Sequence, residues 1–429
     1  MKILSTKKYS LSAINRLIQK RQSKKVDVGN TVRKIIDDVR QNGDRALLAL
    51  TQKFDGADLK KLAVSKREIA DVYLQEDKRF IKALKIAKAN IEKFHKTHVQ
   101  KKEAKVTTAK GVRVWREFRP IERVGLYIPG GKAVYPSTVL MLAIPARIAG
   151  CKEIVLCVPP NKFGKVSSAV LVAADMCGVT KIFKVGGAQA IAAMAYGTKS
   201  VPKVFKIFGP GNQYVTTAKM LVYGEVDIDI PAGPSEILVY ADDIANLAWI
   251  AADLLSQLEH GQDSQAVLVT VSEILASKVQ KEVLKQARRL SRLEIIRQSL
   301  KKSFTVIAKN QGQACELINS YAPEHLEIIC KNPEQMLKKI NNTGSVFLGP
   351  YSSEPLGDYA AGSNHTLPTS GYAKMFSPLS VESFGKKMQI QKVTKTGIQN
   401  LRATVETLAL KEGLDAHKNA VSIRFSKTI

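Results

Sequence analysis

The sequence predicts an α/β protein whose parallel sheets carry helices on their faces, and three observations predict it. From Val124 to Asp242 the chain alternates β-branched strands, glycine-rich turns and alanine-rich helices, the pattern of strands joined in parallel by crossover helices. The apolar fraction of 45% suits globular packing, and 429 residues are long for one core, so two or more domains are expected. No apolar run approaches the ~18 residues of a membrane span. Met1 to Lys8 holds too short an apolar stretch for a secretory signal, so a cytoplasmic protein without a membrane partner is expected.

Residues 1–25 read as a short N-terminal helical arm. Val32 to Lys53 and Lys66 to His98 carry long lysine-rich helical patterns that read as packing helices. His95 and His98 share a face of the second, but no carboxylate or cysteine motif converges there, so a structural role is preferred. Gly111 to Phe118, with Val112, Val114 and Arg116 alternating, reads as a strand.

Five strands then each enter a turn. Val124 to Ile128 leads to Pro129-Gly130-Gly131-Lys132-Ala133, and Glu153 to Val158 to Pro159-Pro160-Asn161. Lys181 to Val185 leads to Gly186-Gly187-Ala188-Gln189-Ala190, and Val204 to Phe208 to Gly209-Pro210-Gly211-Asn212-Gln213. Val226 to Ile230 leads to Pro231-Ala232-Gly233-Pro234-Ser235-Glu236. In a parallel sheet such turns gather beyond the carboxyl ends of the strands, where ligands bind. Glycine there lets backbone N–H groups approach a phosphate. None of the turns fits G-x-G-x-x-G, so the sheet suggests a nucleotide without specifying one.

Residues 243–260 read as an amphipathic helix stopped by Gly261, with Gln257 and His260 leaving the same face. An amide beside one histidine is weak evidence of a metal and needs partners from elsewhere. Ala266 to Val271 and Phe304 to Ile307 read as strands, and Gly312 to Ser320 as a helix. Glu324 and His325 then stand at the mouth of an apolar strand. Proton transfer near neutral pH uses such a pair; an ordinary strand edge fits the spacing equally. After the strand Ser345 to Leu348, residues 353–369 form a loop dense in Gly, Asp, Glu, Asn and His, which marks function rather than connection. Leu401 to Lys411 reads as a helix, and Glu412 to His417 opens the last segment.

A net charge of +28 favours anionic partners through long-range attraction. The lysines and arginines are nevertheless spread along helices beside acidic residues, without an RNP-like motif, zinc-finger spacing or basic tail. A solvated surface is preferred, and nucleic acid is not expected as a partner. Cys151, Cys157, Cys177, Cys315 and Cys330 are odd in number, lack CxxC spacing and mostly sit in apolar segments, so buried reduced thiols are expected. Cys151 has no nearby base to make it a nucleophile of the aldehyde-oxidising kind.

The runs Asp227 to Glu236, Asp253 to Gly261, Tyr321 to Leu326, Gly357 to Thr369 and Glu412 to His417, in that order, resemble the histidinol dehydrogenase family. The strand and turn Arg123 to Gly131 extend the likeness over nearly the whole chain. The resemblance implies two Rossmann-like parallel-sheet domains with small helical N- and C-terminal extensions. It assigns 124–236 to an NAD-binding domain, 26–123 and 237–378 to a zinc- and substrate-binding α/β domain, 1–25 to the arm, and 379–429 to a C-terminal helical extension reaching a partner subunit.

The activity implied is a zinc-dependent, two-step oxidation of L-histidinol through L-histidinaldehyde to L-histidine, the last step of histidine biosynthesis. Two NAD are consumed, and each subunit holds one Zn2+. Carried over by the resemblance, the zinc ligands fall on Gln257, His260, Asp358 and His417, which also meet the substrate. Ser235, Glu354, His365 and Glu412 complete the substrate pocket. His325 resembles the general base, and Glu324 the residue that activates water for the second oxidation. Tyr127, Gln189 and Asn212 resemble the NAD contacts. An intertwined homodimer is also implied, in which Glu412 and His417 serve the partner. Two other classes fit parts of the chain: a zinc hydrolase with Glu324 as base, which needs no nucleotide sheet, and a nucleic-acid-binding protein, which would account for the charge.

Overall fold

The alternation of strand and helix folds into two wholly parallel sheets and a separate antiparallel one. The structure, a computed structural model, describes residues 1–20, 27–99, 103–130, 134–230 and 233–426. The strands are β1 Lys2–Ser5, β2 Val106–Ala109, β3 Val112–Pro120, β4 Arg123–Tyr127, β5 Glu153–Val158, β6 Lys181–Lys184, β7 Lys206–Phe208, β8 Asp227–Ile228, β9 Glu236–Ala241, β10 Gln265–Thr270, β11 Phe304–Ile307, β12 His325–Ile329, β13 Ser345–Leu348 and β14 Gly385–Val393. The chain divides into two units, Met1–His98 with Ile121–Phe384, and Val99–Pro120 with Gly385–Ile429.

In the first unit, β4 to β8 form the sheet expected from the five strand–turn repeats, in the order β6-β5-β4-β7-β8. Both faces are buried, so the strands read as continuous apolar runs. Val155 and Cys157 face the helices Gly29–Asn42, Asp44–Asp55, Gly187–Tyr196 and Gln213–Val222, whereas Ile154, Leu156 and Val158 face Lys78–Lys96, Pro136–Ala149 and Ser168–Met176. The order reverses between β4 and β7, the point where such sheets open a ligand crevice at their carboxyl ends. Two of the predicted turns fall partly on 131–133 and 231–232, outside the described residues.

The other parallel sheet runs β1-β11-β10-β9-β12-β13. Leu238 and Tyr240 pack toward Leu11–Ile18 and Gln311–Tyr321, and Ile237 and Val239 toward Leu247–Leu258, Glu273–Ala287 and Leu293–Leu300. No helix among the described residues is long and apolar enough to cross a membrane.

Several expected boundaries shift. The first residues are not merely a helical arm: Lys2–Ser5 pairs with β11 as an edge strand, burying Leu4, while 21–25 lie outside the described residues. The helical pattern from Val32 to Lys53 breaks in two at Gly43, whose φ of +53° favours glycine. The helices between 29 and 96 pack on the five-stranded sheet, not on the six-stranded one to which 26–123 was assigned. The segment from 379 is not an extension at its start: Leu379 and Phe384 belong to the first unit's core, where Phe384 stacks on Phe208 at 4.0 Å.

The second unit pairs β14 with β3, and β3 with β2, all antiparallel. It therefore opens on a strand before its helices Lys395–Lys411 and Asp415–Ser422. A Cβ at Gly397 would lie 2.4 Å from the Gly111 carbonyl oxygen, so glycine is what lets the longer helix sit against the β2–β3 turn.

Candidate active site and metal centre

Glu324 and His325 meet where β9 and β12 begin side by side, with His325 opposite Ile237. The preceding residue of β9 brackets the pair: the Glu236 N–H donates to Glu324 Oε2 at 2.9 Å, and the Glu236 carbonyl lies 3.1 Å from His325 Nδ1. A carbonyl only accepts, so Nδ1 carries a proton and Nε2 faces the opposite way. There Nε2 lies 3.5 Å from Asp358 Oδ1 and 3.7 Å from Glu354 Oε1. All four side chains are largely buried. The pair is thus an interior cluster rather than an ordinary strand edge.

The loop expected over 353–369 contains a short helix, Glu354–Tyr359, which sets Glu354 and Asp358 one turn apart on the same side. Its entry is fixed from below. Glu327, two residues along β12 from His325 and on the same face, accepts from the Glu354 N–H at 2.9 Å. Asp253 accepts from the Ser353 hydroxyl at 2.7 Å, and the Ser256 hydroxyl donates to the Asp253 carbonyl at 2.8 Å and to Glu354 Oε2 at 3.2 Å. Asp253 and Ser256 stand on the helix Leu247–Leu258, which also carries Gln257.

That helix ends at Leu258, so His260 lies beyond it, contrary to the continuous helix expected over 243–260. The His260 N–H still reaches the Gln257 carbonyl, at 3.4 Å. His260 and His365 both feel the field of Asp358: burial lowers each imidazole, and the Asp358 charge opposes the shift. His365 is held at both ring nitrogens, Nδ1 at 3.0 Å from the Asp358 carbonyl and Nε2 at 3.2 Å from the Thr138 hydroxyl. Ser235 is half-buried just before β9, and its carbonyl accepts from the Gln265 N–H.

The electrostatics follow from crowding carboxylates around one imidazole. Burial alone would lower His325, but Glu324, Asp358 and Glu354 outweigh it and lift the imidazole to about 10. Burial pushes Glu324 up to about 8 against the lowering effect of His325 and of the Glu236 N–H. Burial and then Asp358 push Glu354 up. Asp358 resists burial because His325 and His365 hold its carboxyl well below the usual range. Glu327 is raised well above its ordinary value, by burial first and by Asp253 next.

His325, Glu354 and Asp358 have ligand atoms within 4.8 Å of one another, the spacing of a metal site. Gln257 Oε1 and Glu354 Oε1 are buried with no hydrogen-bond partner among the described residues. Buried acceptors without donors are costly, and a divalent cation satisfies them. Gln257 and Asp358 offer oxygen, and His260 is kept neutral by burial, as a ligating imidazole must be. The donor set fits zinc, the amide oxygen being its least usual member.

The expected NAD contacts gather at the carboxyl ends of the other parallel sheet. Tyr127 ends β4, is buried, and accepts from the Gly187 N–H at 3.1 Å. Gln189 is buried in the helix after β6. Asn212 follows β7 and caps the helix Gln213–Val222, accepting from the Tyr214 and Val215 N–H groups at 3.0 and 3.2 Å. A Cβ at Gly209, whose φ is +121°, would lie 2.1 Å from the Tyr127 carbonyl oxygen, so the turn after β7 lies directly against the end of β4. The glycines at this switch point fit a dinucleotide backbone.

Glu412 and His417 belong to the second unit, where both are exposed. All five cysteines are free, and burial pushes Cys151 up to about 12, which removes it as a nucleophile. His95 is buried beside Asn364, as a structural histidine. Glu236, Glu327 and Asp253 carry no expected role, although acidic residues at the ends or inside of apolar strands and helices were a visible signal.

A sequence model described as histidinol dehydrogenase matches residues 18–425. The chain is 54% identical over 400 residues to the histidinol dehydrogenase of Bacteroides fragilis strain YCH46, covering 93% of each. It is 51% identical over 398 residues to the chloroplastic histidinol dehydrogenase of Arabidopsis thaliana, covering 92% of this chain and 85% of that one. The crystal structure of histidinol dehydrogenase from Elizabethkingia anophelis superposes with a TM-score of 0.95 at 46% identity, covering 99% of this chain and 98% of that one.

Asp358 lies 3.5 Å from His325 Nε2 and is among the metal-spaced carboxylates, so Asp358→Asn is expected to weaken zinc binding by about 10-fold or more. Competition dialysis against a chelator of known affinity measures it; an unchanged affinity would place the metal elsewhere.

Proposed function

The chain belongs to the histidinol dehydrogenase family and is an oxidoreductase, and from that premise we propose that it oxidises L-histidinol to L-histidine in two NAD-linked steps with zinc bound. The observation that carries the reading is the buried cluster of His325, Glu324, Glu354 and Asp358 beside the unpartnered Gln257 oxygen. We place the enzyme in the cytoplasm, where free thiols persist.

Gln257, His260 and Asp358 would hold the zinc with His417 of a second subunit in a homodimer. Zinc there would supply a positive charge that offsets the carboxylates around His325 and a Lewis-acid centre for the nitrogen groups of the substrate, and NAD, held at Tyr127, Gln189 and Asn212, would supply the hydride acceptor. His325, which gives up its Nε2 proton when the cation is bound, takes the alcohol proton at Nε2, because Nδ1 is committed to the Glu236 carbonyl. Each oxidation removes one hydride and one proton. Glu324 takes a proton from water as its oxygen adds to the aldehyde carbon, and His325 returns to the carbonyl oxygen the proton it took from the alcohol, giving the hydrate from which the second hydride leaves. Ser235, Glu354, His365 and the partner's Glu412 orient the substrate. The fixed orientation of His365 between Thr138 and Asp358 suits it to that task.

Adding L-histidinol to the zinc-loaded enzyme is expected to yield two NADH per substrate, lost on chelation and restored by zinc. Glu324, raised to about 8, is protonated below that pH and cannot accept a proton. The second oxidation should therefore slow as pH falls through this range, and Glu324→Gln should abolish that limb. Absence of NADH from zinc-loaded protein would sink the reading.

Sharing of the site between subunits is tested by mixing Glu324→Gln chains with His417→Ala chains. A heterodimer with a shared site keeps one intact centre and about half the activity of the unmodified dimer. Heterodimers without activity would show that each chain completes its own site.

A further inference from the structure

Lys219 and Asp229 form an ion pair in which both side chains are almost wholly buried, 4% and 3% exposed. Both groups close on a single residue of the turn after β7. Lys219 Nζ donates to the Gly209 carbonyl at 3.0 Å, and the Gly209 N–H donates to Asp229 Oδ2 at 2.6 Å. A Cβ at Gly209 would meet the Tyr127 carbonyl oxygen, so the residue is packed against the end of β4 while its N–H and C=O are both held. Lys219 lies on the helix capped by Asn212, and Asp229 follows β8, where its N–H donates to the Ile207 carbonyl at 3.0 Å. One pair therefore ties together β7, β8, the helix and the turn between them.

Burying two charges is a poor way to gain stability, since apolar side chains of similar volume commonly stabilise as well or better. What apolar side chains cannot do is hold the N–H and the C=O of one glycine at once. We propose that Lys219 and Asp229 are positioning residues for NAD, holding the Gly209–Asn212 turn in its binding geometry. The inference rests on the reading of Tyr127 and Asn212 as NAD contacts.

The test uses full-length, zinc-loaded enzyme carrying Lys219→Met, Asp229→Asn or the double change Lys219→Met with Asp229→Leu. The dissociation constant of ADP-ribose is measured by calorimetry, and KM for NAD, KM for histidinol and the thermal midpoint are measured alongside. Loss of positioning is expected to weaken ADP-ribose and raise KM for NAD by about 10-fold or more, while KM for histidinol stays nearly constant. The double variant should regain part of the thermal midpoint lost by the single variants but not the affinity. An unchanged ADP-ribose constant in the double variant would overturn the proposal. So would a parallel loss of both KM values in step with stability, or a double variant that cannot fold. Asn212→Ala and Tyr127→Phe separate the two readings. If neither alters ADP-ribose binding, the NAD site itself is wrong; if they weaken it and the pair variants do not, only the positioning role fails.

Discussion

The backbone of Glu236 holds the site together, its N–H on Glu324 and its carbonyl on His325. This is possible only because β9 and β12 are neighbours in a parallel sheet and begin at the same level. The arrangement commits His325 Nδ1 and turns Nε2 toward Glu354 and Asp358. Beneath them, Glu327 and Asp253 hold the entry of the helix that carries both carboxylates. Three carboxylates around one imidazole, with two more beneath them, would cost on the order of several kcal/mol per unpaired ion if all were charged. Protons held at raised carboxyls relieve part of that cost, and the proposed cation would relieve the rest. The chemistry proposed for the site uses the same imbalance, since a carboxyl poised near 8 and a crowded imidazole are the groups that exchange protons.

The proposed NAD contacts and the proposed proton-transfer residues lie at opposite ends of the strands of the two parallel sheets. In the five-stranded sheet the residues proposed to meet NAD lie after the carboxyl ends of β4, β6 and β7, whereas in the six-stranded sheet the proton-transfer residues lie at the amino ends of β9 and β12. The chain passes from one sheet to the other between Asp229, anchored by Lys219, and Glu236, anchored by the site.

Much of this was legible in the sequence because it is local. Strands buried on both faces leave unbroken apolar runs, and glycine turns separate them, so the five-stranded sheet could be read in order. The Glu324–His325 pair was visible as two ionisable residues opening such a run, but the spacing could not tell a surface edge from an interior cluster. What was not legible depends on distant partners. Lys2–Ser5 is a strand only because β11 offers an edge, and Val112–Pro120 and Gly385–Val393 meet across more than half of the chain. The helices between 29 and 96 have apolar stripes that fit either sheet, and only packing assigns them to the five-stranded one. The residues carrying Gln257 and His260 were identified, yet the helix stops between them, at a terminus that an apolar pattern does not mark. The zinc and NAD assignments came from resemblance, since an amide ligand and turns without the dinucleotide fingerprint are invisible to spacing alone.

The central claim is that the buried acidic cluster is built for a cation. Calorimetric titration of the metal-stripped protein with zinc, in two buffers of different ionisation enthalpy at neutral pH, tests it most directly. The account predicts one zinc per chain with release of protons, because His325 and the raised carboxyls near it give up protons as the cation arrives. Zinc uptake without proton release, or no uptake, would contradict it.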